Sequence, residues 1–96
     1  MQYFYRSHAT PDAVLSFAKD FFPLHGLPGN VSGDEGAFSD ARGTIKVSVE
    51  IEGGHYTRVT VATTDVGEAE IDKVAKRFLA ELHTLDEPTH VVRGAY

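Results

Sequence analysis

The chain has 96 residues, 42% hydrophobic and 24% charged, with nine basic and fourteen acidic side chains and a formal net charge of −5. This length predicts a single domain over 1–96, and since no apolar run exceeds three residues, we expect no membrane span. The basic side chains do not cluster and cysteine is absent, so we expect no bound nucleic acid and no disulfide or thiolate metal site, as is typical of a cytoplasmic protein.

The first two predicted elements are a strand and a helix. Residues 2–8 contain three consecutive aromatic residues and no helical period, which favours a β-strand. Thr10-Pro11-Asp12 supplies a capping hydroxyl, a proline suited to the first helical position and an acid near the positive end of the helix dipole. Apolar residues then recur on one helical face as far as Pro23, which predicts a helix over 11–22.

The segment 23–43 contains five glycines and few large apolar residues. This composition is compatible with a flexible linker. However, Asp34-Glu35-Gly36 and Asp40-Ala41-Arg42-Gly43 place turn-forming residues and a glycine where hairpins need a positive φ. We therefore predict short strands joined by tight turns in this segment.

A long hairpin follows. Residues 44–52 alternate strictly between apolar and polar side chains, which is typical of an antiparallel strand with one solvated face. Two glycines then lead into a second alternating strand over 55–63. The apolar side chains of both strands are expected to share one face of the sheet.

The loop of this hairpin sets its register. A two-residue loop at Gly53-Gly54 would place the apolar side chains of the two strands on opposite faces, because one step of register turns every side chain over. We therefore predict a three-residue loop, Glu52-Gly53-Gly54, with Gly54 in the left-handed region. This loop pairs Val47 with Val59.

The longest helix is predicted last, over about 66–85, where apolar residues recur at helical spacing. Asp65 and Glu68 resemble a capping box at its start. The opposite face is charged, and Asp72 and Lys76 have the favourable acid-to-base spacing of an exposed ion pair.

The order of these elements is β-α-β-β-β-β-α, with residues 89–96 forming a further short strand or a tail. This order predicts the α+β class, in which an antiparallel sheet packs its helices on one face.

Metal and nucleophile motifs are absent from the sequence. The five histidines are isolated, the closest pair being seven residues apart, so we expect no metal site. No Gly-x-Ser-x-Gly elbow and no phosphate-binding loop occurs, and we expect no cofactor. The adjacent acids Asp34 and Glu35 flank a predicted turn and are expected to be solvated.

Six phenylalanines and four tyrosines are many for a small core. They indicate either an apolar pocket between the sheet and the long helix, or a packed core with tyrosines at its rim. The residues that would line such a pocket are Tyr5, Phe38, Val47, Val49, Val59, Val61 and Phe78.

A strand that runs into Ala9-Thr10-Pro11-Asp12-Ala13-Val14-Leu15-Ser16-Phe17 is similar to the opening of the START-like, polyketide-cyclase (SRPBCC) superfamily. The glycine-rich turns, the alternating hairpin and the long last helix also resemble its helix-grip order. The resemblance implies a curved antiparallel sheet gripping the last helix, with an apolar ligand between them. That superfamily generally has more strands and two short helices after the first strand, so this chain would be a trimmed version.

Three functions are compatible with the sequence. The first is a non-catalytic binding module for an apolar small molecule or a protein partner. The second is a homodimeric protein-interaction domain with a fully packed core. The third is a small enzyme that uses His55, Tyr56 or Asp34 on its turns.

Overall fold

The computed structural model describes residues 1–54, 56–64 and 70–86. The predicted capping residues Asp65 and Glu68, the start of the last helix at 66 and the segment 89–96 lie outside this part. The described residues form the elements β1 (Gln2–Ser7), α1 (Pro11–Leu24), β2 (Gly29–Ser32), β3 (Glu35–Asp40), β4 (Gly43–Glu52), β5 (Tyr56–Thr63) and α2 (Glu70–Asp86).

The strands form one antiparallel sheet in the order β1-β5-β4-β3-β2. Helix α1 packs against β2, β3 and β4, and α2 packs against β1, β4, β5 and α1, so both helices cover the same face. The predicted α+β class and element order are confirmed.

Three aromatic rings form the middle of the core between the helices and the sheet. Phe22 of α1 lies between Phe38 of β3 and Phe78 of α2, with ring centroids 4.8 Å away in both cases. All three side chains are fully buried. Their burial ties both helices to the sheet, since the removal of apolar surface from water is the main force holding such layers together.

Helix α1 begins as predicted. The Thr10 hydroxyl accepts a hydrogen bond from the Ala13 N–H at 3.2 Å, Pro11 occupies the first turn and Asp12 lies near the positive end of the helix dipole. The capping oxygen satisfies one of the amide donors that the first turn leaves unpaired.

The predicted end of α1 is wrong, because the helix continues through Pro23 to Leu24. A proline this close to the end removes a hydrogen bond only from the last turn. The helix is terminated instead by Gly26, which follows the C-cap residue His25 and has φ +86°. The Gly26 N–H donates to the Pro23 carbonyl at 3.1 Å and the Leu27 N–H donates to the Phe22 carbonyl at 2.8 Å. These two bonds are the Schellman pattern, which favours glycine at this position.

Segment 23–43 forms short strands and turns, as predicted, but one turn is displaced. The glycine of the β2–β3 turn is Gly33, with φ +63°, whereas Gly36 is buried inside β3. A Cβ atom at Gly36 would lie 2.9 Å from a ring carbon of Phe38, so the Phe38 ring occupies that space. The second predicted turn is confirmed, since Asp40 pairs with Gly43.

The β4–β5 hairpin has a connection of the predicted length at a different position. Val47 pairs with Val61 rather than Val59, and Glu52 pairs with Tyr56, so residues 53–55 connect the strands. Gly54 has the predicted left-handed conformation, with φ +74°. The two registers differ by two residues and leave every side chain on the same face, so alternation does not distinguish them.

An ion pair ties the β3–β4 turn to the end of α1. The Arg42 side chain contacts the Asp40 carboxylate at 2.7 Å and donates to the His25 carbonyl at 2.9 Å. The hydrogen bonds from the side chain and backbone of Arg42 hold the pKa of the Asp40 carboxyl below its ordinary value.

This lowered pKa implies a stability term that depends on pH. The term is present above the ordinary aspartate pKa of about 4 and is lost as the pH falls through the lower pKa of the folded state. We expect Asp40→Asn to flatten the acid limb of the free energy of unfolding, measured by urea denaturation at a series of pH values. Asp20→Asn, at an exposed position of α1, is the control and should keep the wild-type limb. Equal limbs in wild type and Asp40→Asn would contradict this expectation.

Candidate functional site

The structure brings the seven predicted pocket residues together in the core. Six are buried there and Tyr5 is half-buried at the edge. The six buried side chains are Phe38, Val47, Val49, Val59, Val61 and Phe78. Their packing is dense at the aromatic end, where Phe78 stacks on Phe17 with ring centroids 5.6 Å apart. The side chains that were predicted to contact an apolar ligand therefore pack against one another.

Two tyrosines of β1 lie at the rim of this core, beneath α2. The Tyr5 hydroxyl is 3.2 Å from Nδ1 of His83, and the Tyr3 hydroxyl donates to Oδ1 of Asp72 at 2.9 Å. Both rings contribute apolar area to the core while their hydroxyls contact polar groups of the helix, as is usual for tyrosine at the edge of a core.

Asp72 is a fully buried carboxylate in the first turn of α2. Its Oδ1 atom accepts hydrogen bonds from Tyr3 and from the Thr63 hydroxyl at 2.8 Å, while Oδ2 has no partner among the described residues. Burial, together with the hydrogen bond to Asp72 and its charge, raises the pKa of Tyr3. The prediction that Asp72 lies on the solvent face and pairs with Lys76 is wrong, because the Tyr3 and Thr63 hydroxyls bind its carboxylate at the border of the apolar face.

The second face of the sheet carries no helix in the described part of the chain, and we call it the open face. It is formed by alternate strand residues, most of which are polar and at least partly exposed. Those that matter below are Phe4 and Arg6 of β1, Arg58 and Thr60 of β5, Lys46, Ser48, Glu50 and Glu52 of β4, and Glu35 of β3.

An aromatic side chain lies exposed on this open face. Phe4 is 57% exposed, and the guanidinium carbon of Arg58 lies 4.8 Å from the centre of its ring. This distance is typical of a cation–π contact, which is worth about 0.5–1 kcal/mol at an exposed site. The contact holds both side chains in place without removing the ring from water.

Ion pairs surround this contact. Arg6 contacts Glu52 at 2.6 Å, whereas Arg58 lies 3.9 Å from Glu50 and 4.0 Å from Glu52. The two Arg58 distances are too long for hydrogen bonds. Exposed pairs of this kind contribute little to stability, about 0–1 kcal/mol each. These pairs therefore contribute little to the stability of the fold.

Two surface cavities meet at Arg58. One, of about 410 Å³, is lined by Phe4, Tyr5, Arg6, Glu52 and Arg58. The other, of about 200 Å³, is lined by Asp34, Ser48, Val49, Glu50, Arg58 and Thr60. The first has the volume of a small-ligand site, about 300–1,000 Å³, but its lining is largely charged, which favours a polar or mixed partner surface.

Two of the residues suggested for catalysis, Asp34 and Tyr56, do not come together. The Asp34 carbonyl accepts a hydrogen bond from Val49 on one side of β4, whereas Tyr56 pairs with Glu52 on the other side. His55 lies outside the described residues. Within residues 1–54, 56–64 and 70–86, no group of three or more histidine, aspartate or glutamate side chains could hold a metal ion, and no helix is long and apolar enough to cross a membrane.

The contacts around Phe4 and Arg58 on the open face were not predicted from the sequence, because the predicted register of the β4–β5 hairpin differs from the observed one. The register predicted above pairs Arg58 with Ser48, whereas the structure pairs Arg58 with Glu50. An Arg–Glu cross-strand pair beside an exposed aromatic is the signal that the correct register would have given.

Comparison with known proteins gives no family. No protein-family model matches the chain, and no curated protein matches it.

Proposed function

We propose that the chain is a non-catalytic binding module whose partner is a protein, bound on the open face of the sheet. The observation that supports this is the exposed Phe4 ring beneath Arg58, on the edge strand β1 of a charged sheet face. Aromatic residues and arginine are the residue types most enriched where proteins meet, and a few of them usually supply most of the binding energy.

The energetic argument follows from burial. A partner that covers Phe4 would remove most of its exposed ring from water, a gain of about 1–1.5 kcal/mol, because the side chain is 57% exposed before binding. The same partner would exclude water from Arg58 and Glu52, whose contacts strengthen as the local dielectric constant falls. Aromatic residues and arginine beside a polar rim are the residue types found at protein interfaces, and Phe4, Arg58 and Glu52 supply them here.

An apolar small molecule between the sheet and α2 is the second candidate. It rests on the helix-grip resemblance and on the seven predicted pocket residues, which surround one region of the core. A ligand there would have to separate rings that are now in contact, including Phe22 and Phe78 at 4.8 Å. The rearrangement this requires makes the open face the stronger candidate.

Native mass spectrometry of the protein purified from its own cells tests the two candidates together. We expect a protein complex of defined mass and no small-molecule adduct. Phe4→Thr should abolish the complex. The matched control is Ile51→Thr, which removes a 66% exposed apolar side chain from a strand position that does not belong to the open face.

The control variant should retain the complex. A complex that survives Phe4→Thr would overturn the assignment of the open face. A one-to-one adduct that is lost on denaturation, without any protein complex, would overturn the protein partner and favour the apolar ligand.

A further inference from the structure

The charges of the open face are divided between its two halves. On β1 and β5 the open-face residues include Arg6 and Arg58 and no acid. On β4 and β3 they include three glutamates and one lysine. One half is therefore positive and the other negative, which makes the face electrostatically complementary to a copy of itself.

The strand register gives this complementarity a specific geometry. Consider a two-fold axis that runs parallel to the strands, between β4 and β5. It would place β5 of one copy over β4 of the other, and β1 over β3. Since Arg58 and Glu50 are paired directly across β4 and β5, they lie at the same height along the strands. The axis therefore brings Arg58 of each copy over Glu50 of the other. It places Phe4 over Glu35, because Phe4, Thr60, Ser48 and Glu35 are paired in turn across the sheet, and it leaves Arg6 level with the β2–β3 turn.

We propose that the partner bound on the open face is a second copy of this chain, related by a two-fold axis parallel to β4 and β5, with reciprocal Arg58–Glu50 contacts across the interface. This inference rests on the proposed function. In the dimer the Arg58 guanidinium gains a third carboxylate, in addition to Glu50 and Glu52 at 3.9 and 4.0 Å within its own chain. A closed interface of this type uses the same surface patch on both subunits.

The area of the open face sets the expected affinity of the dimer. Five strands spaced by about 4.8 Å, each about 20 Å long on average, give a flat area of about 500 Å² per copy. Specific interfaces usually bury about 800 Å² per partner, and smaller ones are typical of transient complexes. We therefore expect a dimer that exchanges with the monomer and is populated at micromolar or higher concentration.

A charge-swap experiment tests this geometry. Sedimentation velocity over a concentration series would measure the dimer dissociation constant of the wild type, of Arg58→Glu and of Glu50→Arg. Each single variant places like charges together across the interface and should weaken its own dimer at least about 100-fold. An equimolar mixture of the two variants places opposite charges together and should form a heterodimer.

Two further proteins complete the design. The double variant Arg58→Glu/Glu50→Arg restores opposite charges both within and between copies and should dimerise like the wild type. Arg77→Glu, which reverses an exposed charge of α2 away from the sheet, is the matched control and should leave the dimer unchanged. Thermal unfolding of every variant separates a loss of dimer from a loss of fold.

Each outcome decides between the claims. Weakened single variants with a restored mixture support the two-fold geometry. Dimers that are unaffected by the single substitutions, or a mixture that fails to associate, overturn it. A wild-type chain that stays monomeric at millimolar concentration overturns the second copy as partner, while a complex with another protein that is lost in Phe4→Thr would still support the proposed function.

Discussion

Phe78→Ala is expected to lower the free energy of unfolding by about 3–5 kcal/mol. The Phe78 side chain is 0% exposed and lies against three rings of α1: Phe22 at 4.8 Å, Phe21 at 5.5 Å and Phe17 at 5.6 Å between ring centroids. Alanine would leave a cavity that the two helices and the sheet cannot close, because it lies where all three meet. Urea denaturation of wild type and variant measures the difference.

Leu24→Ala is the control for this substitution, because Leu24 is 84% exposed and should change the free energy of unfolding by less than about 0.5 kcal/mol. A loss below about 1 kcal/mol for Phe78→Ala would contradict the packed core. It would then favour a space between sheet and helices, as the helix-grip resemblance implies.

Asp72→Ala is expected to lower the free energy of unfolding by about 2–3 kcal/mol, because it removes the acceptor of two hydrogen bonds and leaves the Tyr3 and Thr63 hydroxyls without it. Asp72→Asn keeps an oxygen at the position of Oδ1 and removes the charge from a side chain whose Oδ2 atom has no partner among the described residues. The asparagine variant should therefore lose less than about 1 kcal/mol. Urea denaturation at neutral pH compares both variants with the wild type.

The loss of stability at alkaline pH tests the Tyr3–Asp72 hydrogen bond independently. The pKa of Tyr3 is raised in the folded state, so its contribution to stability is present below pH about 10 and is lost as the pH rises through the raised pKa. Asp72→Asn removes the charge, which is one cause of that shift, and leaves burial and the hydrogen bond to the oxygen at Oδ1. The variant should therefore lose less stability above pH about 10 than the wild type does. Equal losses in Asp72→Ala and Asp72→Asn at neutral pH would contradict the role of Oδ1 as acceptor.

The fold was predictable where one physical requirement dominated the local sequence. Strict alternation over residues 44–52 predicted β4, since a strand with one buried face requires it. The capping hydroxyl of Thr10 predicted the start of α1. The end of α1 was not predicted from Pro23, because the structure ends the helix with a backbone conformation at Gly26 that is defined by contacts three to five residues apart.

The candidate site was less predictable because it depends on pairing between elements. Alternation fixes the face of Arg58 but not its neighbour, and a shift of two residues moves its partner from Ser48 to Glu50. Helical periodicity predicts that Asp72 is a surface residue on the charged face of the last helix. Its burial depends on the Tyr3 hydroxyl, which lies 69 residues away in sequence. Neither the Arg58–Glu50 pair nor the Tyr3–Asp72 hydrogen bond can be predicted from local periodicity.

Amide chemical shifts recorded over a series of protein concentrations test the open face most directly as the surface that binds a second copy. We expect concentration-dependent shifts at open-face residues, including Phe4, Ser48 and Arg58, and none at Lys19 and Asp20 on the exposed side of α1. Spectra that do not change with concentration, or changes confined to the exposed sides of the helices, would contradict self-association through the open face.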